Sequence, residues 1–200
     1  MGEQKMMNEH NTIILGEPTD EEKKDFSFDL PHQHLRETLR VFKRIVHNDI
    51  PVSLLDVGCK DSANLMFFRT MNYNWHGVDI NPKSNNIIRG DMHNLPFGDE
   101  AFGMVFCCHT LEHSHEPIQA LKEMKRVAHD GSFLFISTPA YSSYQIDNCD
   151  KTHITVPTLA QMRRWCELAG LKVLNICYYK YKADDEPQYA NLVTICKVVN

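Results

Sequence analysis

Short apolar runs that alternate with amphipathic helical segments constrain the fold of this chain more than any other feature. The run from Val52 to Val57 is bounded by Pro51 and Gly58, and it suits a strand that is buried on both faces. Six further runs follow it: Trp75 to Ile80, Ile87-Ile88, Phe102 to Cys108, Ser132 to Ser137, Leu171 to Tyr178 and Leu192 to Val198. Strands that alternate with helices predict an α/β fold with a mostly parallel, seven-stranded sheet.

Apolar residues at helical spacing place amphipathic helices in three of the six connections between these strands and one before the first strand. The predicted helices, which should cover both faces of the sheet, are Pro31 to Asn48, Ser62 to Met71, Glu116 to Ala128 and Pro157 to Ala169. The last two strands have no helix between them, so they should form a hairpin that makes one strand antiparallel. The segment from Ile80 to Ile87 is too short for a helical crossover, which takes about a dozen residues. Either that helix is reduced to a turn, or the third strand is misplaced.

The length of 200 residues suits one domain with a substantial core. We predict a flexible N-terminal arm over residues 1–24, which is polar and acidic, and one folded domain over residues 25–200. No apolar run is long enough to span a membrane, and the N-terminus lacks the apolar core of a signal peptide. Seven cysteines without a framework spacing are typical of reduced thiols, so we expect a cytoplasmic protein.

The distribution of charge limits the kind of partner. The formal net charge is −5, and the lysines and arginines are scattered rather than clustered. A protein that binds duplex nucleic acid normally carries a basic stripe. The pattern therefore argues against duplex nucleic acid and favours a small-molecule partner, while it does not indicate an oligomeric state.

Polar or small residues follow four of the predicted strands at the point where each strand ends. Gly58 follows the first strand, Asp79 ends the second, Asp91 follows the third, and Cys107 to Thr110 follow the fourth. In an open α/β sheet, ligands bind outside the carboxyl ends of the strands. A glycine lets the backbone turn sharply towards a ligand, and a carboxylate at the end of the second strand suits ribose hydroxyls. The sequence therefore predicts a nucleotide-type site at this edge.

Six motifs occur in order along the chain: Leu54-Leu55-Asp56-Val57-Gly58-Cys59, Gly77-Val78-Asp79-Ile80, Gly90-Asp91-Met92-His93-Asn94-Leu95-Pro96-Phe97, Leu111-Glu112-His113, Gly131 to Pro139 and Leu168 to Val173. Together they resemble the motifs of class I S-adenosylmethionine-dependent methyltransferases, above all the subgroup of ubiquinone and menaquinone biosynthesis enzymes (methyltransferase type 11). The resemblance implies a single Rossmann-like domain that binds S-adenosyl-L-methionine and releases S-adenosyl-L-homocysteine. It also implies methyl transfer to an O, N or C atom of the acceptor, for which we expect a small molecule.

The resemblance further implies which residues hold the nucleoside part of the cofactor. Asp79 would bind both ribose hydroxyls, and Ile80 would stack on the adenine. Asp91 would accept a hydrogen bond from the adenine amino group, with Met92 beside the ring.

At the methionine end, the resemblance assigns backbone and loop roles. Asp56 would organise the loop and the methionine amino group, and Gly58 and Cys59 would present backbone to the cofactor. Cys108 or His109 would offer backbone near the same end.

The glycine loop departs from the family pattern, because Lys60 and Ser62 stand where the family usually has two further glycines. Lys60 would lie over the cofactor or near its carboxylate. Two rival hypotheses stay open at this point. One is a catalytically inactive domain that binds S-adenosylmethionine as a sensor or subunit. The other is a nicotinamide-dependent oxidoreductase, which needs G-x-G-x-x-G where positions 58, 60 and 63 here carry Gly, Lys and Ala.

Histidines supply the candidate catalytic bases. His109 to His113 fits the H-x-x-E-H pattern of a zinc peptidase, but that pattern needs a helix, whereas this segment follows a strand, so we predict no metal site. His113 and His153 are the predicted bases, since both should lie where such enzymes admit their substrates. The predicted acceptor pocket, which the N-terminal arm would cover, consists of His32, His34, Tyr141, Tyr144 and His153.

Overall fold

The computed structural model describes residues 12–14, 38–42, 53–140, 150–180 and 190–199. In these ranges the strands are β1 (Thr12–Ile14), β2 (Ser53–Val57), β3 (Asn74–Asp79), β4 (Ile87–Arg89), β5 (Phe102–Cys108), β6 (Ala128–Ala140), β7 (Leu171–Lys180) and β8 (Ala190–Val198). The helices are α1 (Ala63–Thr70), α2 (Pro117–Val127) and α3 (Leu159–Leu168), with a 3-10 turn at Leu111–His113. Residues 38–42 are also helical. Within the same ranges, no helix is long and apolar enough to cross a membrane.

The described strands form one sheet in the order β1-β7-β8-β6-β5-β2-β3-β4. β8 runs antiparallel to both of its neighbours, β6 and β7, whereas the other described pairs are parallel. The seven predicted strands and the single antiparallel strand of a Rossmann-like α/β fold are therefore confirmed.

β1 is an additional edge strand that the sequence pattern did not indicate. It has three residues and pairs in parallel with β7, from Thr12 beside Tyr178 to Ile14 beside Lys180. A strand this short carries no alternation of apolar and polar residues, so its position depends on a partner far along the chain. The remainder of the predicted arm, residues 1–24, lies outside the described residues, and its flexibility stays a prediction.

The connection between β3 and β4 is the point that the sequence left open. Residues 80–86 contain only bends and turns, and β4 still pairs in parallel with β3, with Gly77 beside Ile87. The crossover helix is therefore reduced to a turn, and the third predicted strand is correctly placed.

Apolar side chains cover both faces of the sheet, as the residue pattern predicted. Leu54 and Leu55 are neighbours in β2, but they belong to two different core clusters because successive strand residues point to opposite faces. Helices α2 and α3 pack on the cluster of Leu55. Helix α1 and the helical residues 38–42 pack on the other cluster, where Phe42 contacts Phe68, Phe106 and Phe135 edge to face. Of the predicted helix from Pro31 to Asn48, the remaining residues lie outside the described ranges.

Helix α3 begins with a capping box. The Thr158 hydroxyl accepts a hydrogen bond from the Gln161 amide, and the Gln161 side chain accepts one from the Thr158 amide. We expect Thr158→Ala to lower the free energy of unfolding by about 1 kcal/mol, because the Gln161 amide loses its partner. Urea denaturation measures the change, with Thr158→Ser as the control that keeps the hydroxyl. An equal loss in both variants would contradict a capping role for the hydroxyl.

Candidate functional site

The loop after β2 passes so close to Thr110 that only glycine fits at its first position. Gly58 has φ +75°, and its amide donates a hydrogen bond of 2.8 Å to the carbonyl of Val78 in β3. A Cβ atom added at Gly58 would lie 2.2 Å from Thr110 Cγ2 and 2.7 Å from Thr110 Cβ. The sequence-predicted sharp turn is thus present, and it brings the end of β2 against the residues that follow β5.

Lys60 takes a glycine-like backbone conformation in this loop. Its φ is +54°, and its amide donates a hydrogen bond of 2.8 Å to Asp79 Oδ2. The Asn81 amide donates to Asp79 Oδ1 at 2.7 Å. Two predicted cofactor residues, Lys60 and Asp79, are therefore in direct contact. Each carboxylate oxygen has two lone pairs, so Asp79 keeps acceptor capacity for a ligand.

Ile80 lies next to Asp79 with an open apolar side chain. It is 68% exposed, more than the other large apolar side chains that are exposed in the described ranges. An exposed isoleucine immediately after a strand leaves apolar surface open to a ligand, which the stacking role implied by the resemblance would require.

Asp56 is buried under the loop and does not lie at the surface of the site. It is 1% exposed, and its Oδ2 accepts hydrogen bonds from Asn64 Nδ2 at 2.9 Å and from Trp75 Nε1 at 3.0 Å. Burial raises the pKa of Asp56 to about 6, although the hydrogen bonds from Asn64 and Trp75 act in the opposite direction. Asp56 thus connects β2, β3 and α1 beneath the loop. Trp75 begins the predicted strand Trp75 to Ile80, and the sequence pattern gave no sign of its indole hydrogen bond.

The stability of the cofactor-free protein is expected to depend on the titration of Asp56. A carboxyl group whose pKa is raised in the folded state contributes stability that is fully present below its unfolded pKa of about 3.9. This contribution is lost as the pH rises through about 6. Because Asp56→Asn does not titrate, the unfolding free energy of the wild type relative to this variant should fall by on the order of 2 kcal/mol between about pH 4.5 and pH 7.5. Urea denaturation across this range measures the difference, and a constant difference would contradict the raised pKa.

Asp91 is tied to the Leu-Glu-His turn through a histidine. Asp91 Oδ1 accepts a hydrogen bond from the His93 amide at 2.9 Å and lies 2.7 Å from His93 Nδ1, while His93 Nε2 lies 2.7 Å from Ser114 Oγ. The backbone hydrogen bond from His93 lowers the pKa of Asp91, which keeps this exposed carboxylate ionised and able to accept. Met92 is half-buried and packs on the core beside it. The role of His93 was missed, although His93 stands within the motif that pointed to Asp91.

The segment after β5 connects the loop of Gly58 with the Leu-Glu-His turn. Burial raises the pKa of the Cys108 thiol far above its ordinary range, so this thiol stays neutral. His109 has φ +50°, and its amide donates a hydrogen bond of 2.8 Å to the Ser137 carbonyl. Thr110 Oγ1 lies 3.4 Å from the Gly58 carbonyl.

Cys59, the second residue of the loop after β2, has a buried side chain. Its Sγ lies 3.7 Å from the Val78 carbonyl.

Glu112 is a buried carboxyl group among three histidines. It is 1% exposed, and neither carboxyl oxygen has a hydrogen-bond partner among the described residues. Glu112 Oε1 lies 3.6 Å from His109 Nδ1 and 3.9 Å from His153 Nε2. The ring centroids of His113 and His153 are 5.0 Å apart.

Burial dominates the protonation of this cluster. It raises the pKa of Glu112 to about 8 and lowers the pKa of His153. The structure thus brings together His113 and His153, the two predicted bases, and adds Glu112, which the sequence pattern named only as part of a motif. Of the other predicted pocket residues, His32, His34, Tyr141 and Tyr144 lie outside the described residues.

Comparison with known proteins finds one family model that matches part of this chain. Residues 55–136 match the family model of a methyltransferase domain. A tRNA U34 carboxymethyltransferase from Campylobacter hominis is 30% identical over 105 residues, which cover 46% of this chain and 35% of the relative. The enzyme of the same name from Nautilia profundicola is 26% identical over 159 residues, which cover 64% of this chain and 50% of the relative. The chain therefore spans half or less of the length of these curated relatives.

A solved structure shows the same fold over nearly the whole chain. It is a putative methyltransferase from Haloferax volcanii in complex with the Trm112 methyltransferase activator, with a TM-score of 0.72 and 16% identity. The match covers 90% of this chain and 94% of that chain. At this level of identity the likeness concerns the fold.

The predicted small-molecule acceptor is wrong. The curated relatives are named for a nucleotide of tRNA, which is a nucleic-acid substrate. The absence of a basic stripe argued only against binding along a duplex, whereas a nucleotide in a single-stranded loop is recognised largely through its base.

The family match, the fold and the motifs at the strand ends agree with one another, and they agree with the implied cofactor. Residues 55–136 of this chain thus match a methyltransferase domain, and the sheet that carries them has the fold of solved methyltransferase structures.

Proposed function

We propose that this domain transfers the methyl group of S-adenosylmethionine to a nucleotide in a single-stranded loop of tRNA. The observation that carries the proposal is the likeness to tRNA U34 carboxymethyltransferases, which reaches 159 residues for the Nautilia profundicola enzyme. Position 34 of tRNA lies in the anticodon loop. Bases in such loops are unpaired, so an enzyme can turn one of them into its site at small cost.

In this proposal the donor lies across the carboxyl ends of β2, β3 and β4. Asp79 accepts hydrogen bonds from the ribose hydroxyls, and Ile80 packs against the adenine. The exposure of Ile80 and the remaining acceptor capacity of Asp79 support these roles. Asp91, held ionised by His93, accepts from the adenine amino group, and Met92 lies beside the ring.

The methionine part of the donor then lies towards the loop of Gly58 and the segment after β5. Gly58, Cys59 and His109 face it through backbone carbonyls, because their amides already donate to the carbonyls of Val78 and Ser137. The loop is supported from below by Asp56. Lys60 has a left-handed backbone, which glycine adopts readily, so the loop follows a path that a glycine could also take. The inactive-domain hypothesis rested on this replacement, so the observed loop weakens its premise.

The chemistry requires mainly alignment. The sulfonium of the donor already activates the methyl group, so the protein must hold a nucleophilic O, N or C atom of the acceptor in line with it. Positioning of this kind contributes on the order of 7–11 kcal/mol to the lowering of the barrier. Where the acceptor atom carries a proton, a base such as His113 or His153 would add about 10²–10⁴-fold.

A cytoplasmic location belongs to the same proposal. The six cysteines in the described ranges form no disulfide with one another, and five of them are buried, which is typical of a reducing compartment.

Transfer of labelled methyl groups tests the proposal. The protein is incubated with methyl-labelled S-adenosylmethionine and unmodified tRNA, and the digested nucleosides are separated and weighed by mass spectrometry. We expect one labelled nucleoside from the anticodon loop, and none with Asp79→Asn. Binding of S-adenosylhomocysteine without transfer to any tRNA would favour the inactive domain. A carboxymethylated product from the carboxymethyl derivative of the donor, with no methylated one, would show that the transferred group was wrongly assigned.

A further inference from the structure

Glu112 is a buried acid whose carboxyl oxygens lack hydrogen-bond partners among the described residues. Its side chain is 1% exposed, and neither oxygen accepts or donates a hydrogen bond within the described part of the chain. A buried carboxyl group without hydrogen-bond partners is costly, and native proteins rarely keep one without a reason. The group therefore points to a ligand.

Two imidazoles face this carboxyl group. One ligand atom from each of Glu112, His113 and His153 can be chosen so that all three lie within 4.8 Å of one another. His113 Nδ1 lies 3.0 Å from the Thr152 carbonyl, and because a carbonyl only accepts, Nδ1 carries the proton. His113 Nε2 therefore keeps a lone pair that can bind a metal ion. Metal-binding histidines are usually oriented in this way, by a hydrogen bond from the ring nitrogen that does not bind the metal.

Backbone hydrogen bonds hold the two contributing segments together. The amides of Ile154 and Thr155 donate to the Glu112 carbonyl at 2.8 Å and 3.0 Å. The Asp150 side chain accepts from the Thr152 amide and hydroxyl and so stiffens the loop that carries His153. The three side chains are therefore placed by the fold, although they come from distant parts of the sequence.

We propose that Glu112, His113 and His153 bind a divalent metal ion of the zinc type. One carboxylate oxygen and two imidazole nitrogens are a donor set that suits Zn²⁺, and three protein ligands leave a fourth position for water or substrate. Ligand atoms around a tetrahedral zinc ion lie about 3.4 Å apart. The distance between Glu112 Oε1 and His153 Nε2 is 3.9 Å, so it would have to shorten by about 0.5 Å around a bound ion.

This site differs from the zinc pattern that the sequence suggested. That pattern would pair His109 with His113 on a helix, but Leu111–His113 is a single 3-10 turn. The loop residue His153 supplies the second imidazole instead. A bound ion occupies the imidazole lone pairs, so in this state His113 and His153 are ligands and not the bases considered above. The proposal concerns ion binding alone, so it stands whether or not tRNA is the acceptor.

Cobalt substitution tests the site, because the visible absorption bands of bound Co²⁺ depend on the ligands around the ion. The metal-free full chain is titrated with Co²⁺ by absorption spectroscopy and with Zn²⁺ by calorimetry. We expect one ion per chain and visible bands of tetrahedral cobalt with nitrogen and oxygen ligands. Glu112→Gln and His153→Ala should each weaken Zn²⁺ binding at least about 100-fold, since loss of an outer-shell partner alone costs about 10–100-fold.

Matched controls come from the residues that follow this turn. Glu116→Gln and His115→Ala remove an exposed acid and an exposed histidine, and both variants should bind Zn²⁺ like the wild type. Glu112→Gln keeps the side-chain volume, and circular dichroism checks that each variant is folded. Failure of the wild type to bind either ion, a near-ultraviolet thiolate charge-transfer band, or unchanged affinity in both ligand variants would overturn the proposal.

Discussion

Asp79→Asn is expected to weaken the binding of S-adenosylhomocysteine about 100-fold or more. In the proposed site the Asp79 carboxylate accepts from both ribose hydroxyls. Hydrogen bonds to a charged group contribute about 1.5–3 kcal/mol each, and every 1.4 kcal/mol is about tenfold in affinity. The asparagine amide keeps one acceptor oxygen but loses the charge and presents a donor to the second hydroxyl. Isothermal titration calorimetry measures the loss.

A distant aspartate provides the control for this variant. Asp130 is exposed near the start of β6, at the opposite end of the strand from the site, so Asp130→Asn should bind with wild-type affinity. The thermal unfolding midpoint of each variant shows whether the fold is kept, because the Lys60 and Asn81 amides also use the Asp79 carboxylate. Affinity of Asp79→Asn within threefold of the wild type, in a folded variant, would contradict ribose binding by Asp79.

Gly58→Ala is expected to cost more stability than any other glycine-to-alanine change at a positive φ in the described chain. The left-handed backbone alone costs an alanine about 1–2 kcal/mol. The new Cβ would also overlap Thr110, and since Thr110 Cβ itself lies 2.7 Å away, a side-chain rotation does not relieve the contact. Overpacking of this kind adds about 1–3 kcal/mol. Urea denaturation measures the total, and the displaced loop should also lose affinity for S-adenosylhomocysteine.

Gly131 is the matched control because it separates the two costs. Its φ is +79°, close to the +75° of Gly58, but an added Cβ would have no atom within 4 Å. Gly131→Ala should therefore show the backbone cost alone and leave cofactor binding unchanged. Equal losses of stability in the two variants would mean that the loop has room to move away from Thr110.

The parts of the fold that depend on local pattern were predictable from the sequence. The predicted strand from Val52 to Val57 is observed as Ser53–Val57, because a strand buried on both faces needs a continuous apolar run between residues that break it. The candidate cofactor residues were predictable from the same strand boundaries, because they stand where the predicted strands end. Asp79 and Lys60 lie in contact because parallel strands end at one edge of the sheet.

The parts that depend on pairing between distant residues were not predictable. Tryptophan is a residue type that is often buried, so Trp75 alone gives no sign of a polar role. Its hydrogen bond to Asp56 exists only because β3 lies beside β2. The approach of His153 to Glu112 depends on the path of a loop that has no regular pattern. The acceptor was predicted wrongly for a related reason: net charge reports on long basic surfaces and says little about a site for a single base.

A crystal structure with S-adenosylhomocysteine tests most directly whether the strand ends form the donor site. We expect both ribose hydroxyls within hydrogen-bond distance of the Asp79 carboxylate, with the adenine against Ile80 and the homocysteine chain between Gly58 and His109. A nucleoside bound away from Asp79, or a homocysteine chain that points away from the loop of Gly58, would contradict the proposed site.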